Sequence, residues 1–150
     1  MISTKCRRWE SLLRNTHRLY TRGLLRLIRG HGVTTIMQWW VLRQLWNEDG
    51  LTQRDLSENI GLFDSGMVAV LNALEEKGLV ERRRNKDDRR KINVCLTKAG
   101  RALERKLLPL ADRVSGAAIG GLAESEREAL WAMLNRLNDN LESYLAEEPS

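Results

Sequence analysis

The feature that most restricts this chain is an ordered set of helix starts and stops between residues 50 and 97. Thr52 stands before Gln53-Arg54-Asp55. A threonine hydroxyl there can take an orphan backbone amide, and the aspartate suits the positive end of a helix. Gly61 stops that short helix, Asp64 and Ser65 can cap another that runs to Lys77, and Gly78 ends it. Val68, Leu71, Leu74 and Val70 form its expected inner face. Leu79-Val80-Glu81-Arg82 then reads as a strand, and residues 91–96, with Ile92, Val94 and Leu96 alternating, as its partner. A polar, charged turn over residues 84–89 joins them.

Long helical patterns flank this block. Trp9, Leu13, Thr16, Tyr20, Gly23 and Leu27 recur at helical spacing and predict a helix over residues 5–29, ended by Gly30-His31-Gly32. A second helix over 35–47, capped by Thr34 or Thr35, should bury Ile36, Trp39, Leu42 and Trp46. Thr97 opens a fifth, carrying Leu103, Leu107, Leu110, Val114 and Ala118, in which Pro109 can introduce a bend. A sixth covers 124–145 with a leucine stripe at 130, 134, 137, 141 and 145. The expected fold is mainly α with a small β-wing: helix, turn, helix, strand, charged turn, strand is the order of a winged helix-turn-helix.

Charge is segregated along the chain. Residues 1–31 hold eight Lys/Arg against one acid, residues 81–91 seven against three, and residues 121–150 two against seven. That distribution suits a polyanionic partner at one end. No apolar run approaches the roughly 20 residues that cross a bilayer, and no apolar segment follows Lys5, Arg7 and Arg8, so a cytoplasmic protein without membrane partners is expected. Cys6 and Cys95 form neither a disulfide framework nor a metal spacing. His17 and His31 are the histidines, and neither lies near a nucleophile or a carboxylate pair in a recognisable arrangement. With no Gly-rich phosphate loop, an enzyme, a cofactor or a metal site is not expected.

A helix fits the major groove of DNA, and a basic hairpin beside it reaches phosphates or the minor groove. The hairpin offers Arg82, Arg83, Arg84, Lys86, Arg89, Arg90 and Lys91. A charge run can also be a solvated surface and nothing more, so the helix pair before it carries half of the argument. Three stretches, Gly50-Leu51-Thr52-Gln53-Arg54-Asp55-Leu56, Ile60-Gly61-Leu62 and Leu74-Glu75-Glu76-Lys77-Gly78-Leu79-Val80-Glu81-Arg82, resemble the MarR (multiple-antibiotic-resistance regulator) family. So do Asp88-Arg89-Arg90, Val94-Cys95-Leu96-Thr97-Lys98-Ala99-Gly100-Arg101, and upstream Gln38-Trp39-Trp40-Val41-Leu42.

The resemblance implies a winged helix-turn-helix lobe over residues 33–97 and a helical dimerisation region over 1–32 and 98–150. It implies a homodimer that grips a pseudo-palindromic double-stranded operator, two fourth helices in successive major grooves. The family's Asp-x-Arg wing pattern falls on Asp88 and Arg90, making Arg90 the groove-inserting residue and Asp88 its buttress, with Arg89 as the neighbouring alternative. Thr52, Gln53, Arg82, Arg84 and Lys86 complete the expected contacts outside the fourth helix. That helix departs from the family's pattern, since it begins Ser65-Gly66-Met67-Val68-Ala69-Val70-Leu71-Asn72. Ser65 and Asn72 can bond bases, and Met67 or Ala69 can meet thymine methyls.

Arg14, Arg18, Arg22 and Arg26 repeat every fourth residue, with Arg29 close by, and place a positive ridge on the first helix. Acids of the sixth helix (Glu124, Glu128, Asp139, Glu142) could pair with it, or an anion could. Arg14, His17 and Arg18 with Trp39 and Trp40 suggest an effector site for an aromatic carboxylate or its coenzyme A thioester. Both tryptophans could equally be core. Cys6 lies among cations that favour a thiolate, which keeps a redox-sensing repressor open as an alternative. A protein-interaction winged helix without DNA binding is the other.

Overall fold

Local side-chain caps decide where several of the helices begin. The computed structural model describes residues 8–62 and 64–147, with the side chain of Asp64 outside that set. Cys6 and the expected first turn of the N-terminal helix lie outside the described residues, as does any cap by Asp64. Helix α1 covers Trp9–Ile28, and a 3-10 turn, Arg29–His31, follows and ends at Gly32 with φ 88°. Helix α2 (Ile36–Asn47) is capped by Thr35, whose hydroxyl accepts from the Gln38 amide at 3.2 Å. Helix α3 (Gln53–Ile60) has a reciprocal cap. Thr52 Oγ1 accepts from the Asp55 amide, and Asp55 Oδ2 accepts from the Thr52 amide, both at 3.1 Å. The Thr52 hydroxyl also donates to Asp55 Oδ2 at 2.6 Å, and this bond, with that from the Thr52 amide, holds the Asp55 carboxyl below its ordinary value. Helix α4 covers Asp64–Glu76, and Gly78, φ 66°, ends the segment.

Strands β1 (Val80–Arg84) and β2 (Ile92–Leu96) pair antiparallel in a register that sets Val80 against Leu96 and Arg84 against Ile92. Arg83 and Arg84 therefore belong to the strand rather than to the turn. Leu51-Thr52 adds a short third rung: the Val94 amide donates to Leu51 O at 2.8 Å, and Thr52 bridges Asn93. Helix α5 (Lys98–Ile119) carries Pro109 in its interior, and α6 covers Glu124–Glu147. The protein is thus mainly helical with a small antiparallel wing, in the expected order. No helix among the described residues is long and apolar enough to cross a membrane.

Contacts divide the chain into two compact units, one reaching Val114 and one beginning at Ser115. In the first, Leu24 and Ile28 of α1 join Trp39, Leu42 and Leu45 of α2, Leu56 of α3, and Met67, Leu71 and Leu74 of α4 in one buried core. Burial of such side chains supplies the bulk of the folding drive. The inner face of α4 is set by Met67 with Leu71 and Leu74, not by Val68, which is 38% exposed. In the second unit α6 buries no residue, and Trp131, Met133, Leu141 and Tyr144 are all more than half exposed.

The wing root, α2 and α5 meet at Gly100. Thr97 Oγ1 donates to Gly78 O at 2.6 Å and accepts from the Gly100 amide at 3.0 Å, which caps α5. Trp46 Nε1 donates to Gly100 O at 3.0 Å. A Cβ on Gly100 would lie 2.1 Å from the Leu79 carbonyl oxygen, so only glycine fits there.

Candidate nucleic-acid interface

The hairpin tip is built by short polar side chains. Asn85 Oδ1 accepts from the amides of Asp87 and Asp88 at 2.9 Å, and the Asn85 amide donates to Lys91 O at 2.9 Å. This asparagine turn leaves Asp88 half-buried and facing Arg90. Asp88 Oδ1 accepts from both the backbone amide and Nε of Arg90 at 3.1 Å, and Oδ2 accepts from Nη2 at 3.3 Å. Arg90 beside it holds the Asp88 carboxyl below the usual aspartate range. The Arg90 side chain itself is 91% exposed. The geometry is that of a fixed base and a projecting cation. Arg84, Lys86 and Arg89 are exposed around it, and Arg89 has no equivalent buttress among the described residues. Thr52, Gln53 and Arg90 line one open groove between the start of α3 and the wing.

Arg82 is placed differently from its neighbours in the charge run. Its backbone amide donates to Glu75 Oε1 at 2.8 Å, and its Nε and Nη2 donate to Glu75 Oε2 at 2.9 and 2.6 Å. Nη2 also donates to Asn72 Oδ1. Arg82 is therefore a clamp between β1 and α4, three-quarters buried, and not a free cation. Bonding to Arg82 lowers the Glu75 carboxyl from its ordinary value of 4.5. The stability this supplies is complete above that value and fades as pH falls through the lowered one. We expect Glu75→Gln to cost about 1–2 kcal/mol at neutral pH. The loss of stability on acidification from pH 5 to 3 should be shallower in the variant. Urea melts across that range check both statements, and identical slopes for the two proteins would refute the second.

Among the described side chains of α4 the exposed ones are Ser65, Val68, Ala69, Asn72 and Glu76, with Gly66 half-buried. Met67 is fully buried and cannot meet a base, which corrects its expected role. Both 67 and 68 are apolar, so periodicity alone admits either phase, and the core takes the larger residue.

Two further placements concern the expected effector site. Arg14, His17, Arg18, Arg22, Arg26 and Arg29 share a groove along α1. Among the described residues of the first unit no ion pair holds Arg14, Arg22, Arg26 or Arg29, while Arg18 donates to Asn15 Oδ1 at 2.8 Å. On α6, Glu124 pairs with Arg127 at 3.3 Å. Trp39 is only 2% exposed and packs edge-on against Trp46 at 5.6 Å, so it is a core residue and not a cavity wall. Trp40, half-buried, lies at the edge of that core. Cys95 is also half-buried, and burial pushes its thiol up.

Sequence reasoning missed three anchors. Asp49 accepts from the Leu96 amide at 2.8 Å and pairs with Arg101. Gln38 Oε1 accepts from the Thr34 amide at 2.9 Å and from Lys77 Nζ at 3.2 Å, tying α4 to the start of α2. Glu75 stood inside a quoted motif without a role. Acids and amides flanking glycines or helix ends were the available signal.

The same order of elements recurs in known proteins. A family model described as MarR family matches residues 34–92. The HTH-type transcriptional regulator TtmR of Methylorubrum extorquens is 33% identical over 116 residues, covering 77% of this chain and 58% of its own length. The chain thus spans under two thirds of that relative. The crystal structure of the transcriptional regulator PA3341 superposes with a TM-score of 0.82 at 30% identity, covering 90% of this chain and 98% of that one. A structure of Bordetella bronchiseptica BpsR, described as regulated in DNA binding by 6-hydroxynicotinic acid, superposes with a TM-score of 0.78 at 25% identity. It covers 87% of this chain and 98% of its own. With a capped α3 followed by α4 and a wing, a family match across that block and a near full-length structural likeness, this chain belongs to the MarR family of transcriptional regulators.

Proposed function

We propose that the protein is a homodimeric repressor that grips a pseudo-palindromic operator and is released by a small anionic effector. The observation that carries this reading is the Arg90 guanidinium, oriented by Asp88 and exposed at the wing tip. A cation held in this way can enter a minor groove without first losing its rotamer freedom. Arg84, Lys86 and Arg89 supply phosphate contacts, and the start of α3 at Thr52 and Gln53 offers backbone amides and side chains to the same backbone. Residues 33–97 form the DNA-binding lobe in this reading. The flanking helices, with the exposed apolar residues of α6, form the dimerisation region.

The effector site lies along α1, where Arg14, His17 and Arg18 share a groove and an anion can replace missing partners. With Trp39 in the core, Trp40 is the remaining aromatic candidate. An aromatic acid or its thioester is the effector class to test first, and BpsR's regulation by a hydroxylated nicotinic acid supports that choice.

The experiment combines duplex binding with sedimentation. The purified protein should sediment as a dimer and retard duplex from its own upstream region with strong salt dependence. Aromatic acids or their thioesters should reverse the shift. A dimer that binds no duplex even in dilute buffer would replace this reading with a protein-interaction module. Val68 and Ala69, apolar on the outward face of α4, are what favour that second reading.

A further inference from the structure

We propose that Asn72 sets base preference in the major groove as a donor only, selecting the acceptor edge of guanine. The inference rests on the DNA-binding reading above and specifies the chemistry of one contact within it.

Over its first two turns the outward face of α4 presents Ser65, Val68, Ala69 and Asn72, at i, i+3, i+4 and i+7, with Glu76 following at its far end. Val68 and Ala69 can meet thymine methyls but form no hydrogen bond. A serine hydroxyl both donates and accepts, so Ser65 discriminates little. Asn72 is the one side chain of the four with distinct donor and acceptor ends.

An asparagine free to turn pairs with adenine at two points: its oxygen accepts from N6 and its amine donates to N7. Asn72 is not free in this way. Arg82 Nη2 donates to Asn72 Oδ1. A guanidinium has donors and no acceptor, so it fixes which end of the amide turns toward it. Nor can Arg82 move aside, because its backbone amide, Nε and Nη2 all bond to Glu75. The charge-assisted bond thus holds the Asn72 oxygen toward the protein and leaves the amine for the groove. Guanine presents two neighbouring acceptors, N7 and O6, to such a donor, whereas the cytosine N4 amine opposes it and adenine keeps its N6 donor unmatched. Glu75 and Arg82 act here as positioning residues, through Asn72.

The test starts from random duplex DNA enriched by the wild-type protein, then by Asn72→Ala and Asn72→Asp. Wild type should enrich guanine at one base pair of each half-site. Replacing that guanine by 7-deazaguanine should weaken wild-type binding about tenfold. The same replacement should leave Asn72→Ala unaffected. Asn72→Asp keeps a partner for Arg82 but loses the donor, and should shift the preference at that pair toward cytosine. A preference unchanged in both variants would overturn the inference, as would an Asn72-dependent adenine whose N6 amine is required. Failure to enrich any duplex would remove the DNA-binding reading itself, and with it this one. Sequence-dependent enrichment indifferent to residue 72 would remove this one alone.

Discussion

Arg90→Ala lowers operator affinity by about a hundredfold while leaving the folding midpoint in place. A bond from a charged donor contributes about 1.5–3 kcal/mol, and a dimer loses two of them, one per wing. A combined loss near 3 kcal/mol corresponds to about two decades in Kd. The side chain is 91% exposed and, among the described residues, bonds to Asp88 alone, so the fold has little to lose. Titration of a fluorescent operator duplex at fixed salt measures the effect, with a thermal melt as the control. A change under threefold would show that the wing tip does not enter the groove. Arg89→Ala provides the contrast: its smaller loss should track ionic strength, as a phosphate contact does.

Gly100→Ala should be the most destabilising single-methyl change in the chain. The added carbon would sit 2.1 Å from the Leu79 carbonyl oxygen, a backbone atom that cannot swing aside. Relief requires α5 to shift from the wing root. That shift strains the Thr97 bond to Gly78 O and the Trp46 bond to Gly100 O. Overpacking of this kind costs about 3 kcal/mol or more when backbone must move. In a chain of this size that lowers the melting temperature by roughly 6–12 °C. Calorimetry on the two proteins checks it, and Gly116→Ala is the control, since a Cβ there meets nothing within 4 Å. Equal midpoints for Gly100→Ala and wild type would show that the packing at this seam is looser than described.

The order and type of the elements were legible because their signals are local. Thr52 and Thr97 cap the helices they precede, Gly61 and Gly78 adopt the positive φ that ends a helix, and Ile92, Val94 and Leu96 alternate as a strand should. Choices between neighbours were not legible. Met67 and Val68 are both apolar, and helical spacing admits either. Which of the two turns inward depends on what faces it across the core, and no local pattern records that. Trp39 is the contrast: its spacing with Ile36, Leu42 and Trp46 marks it as inward, and it packs on Trp46 along the same face of α2. Arg82 was hidden for the same reason as Met67. Seven cations in eleven residues read as one set, yet one of them meets Glu75 on a different element and becomes structural. The missed bond between Asn93 and Gly50 O, at 2.6 Å, is likewise a pairing across more than forty residues.

The seam at Gly100 also governs how motion can travel. Threonine and a bare α-carbon lock the hairpin root to the first turn of α5, with no slack loop between them, and the Trp46 bond ties α2 to the same turn. Hairpin and helix therefore turn together, like the blade and shaft of an oar. A small tilt applied far along the shaft sweeps the blade tip through a wide arc.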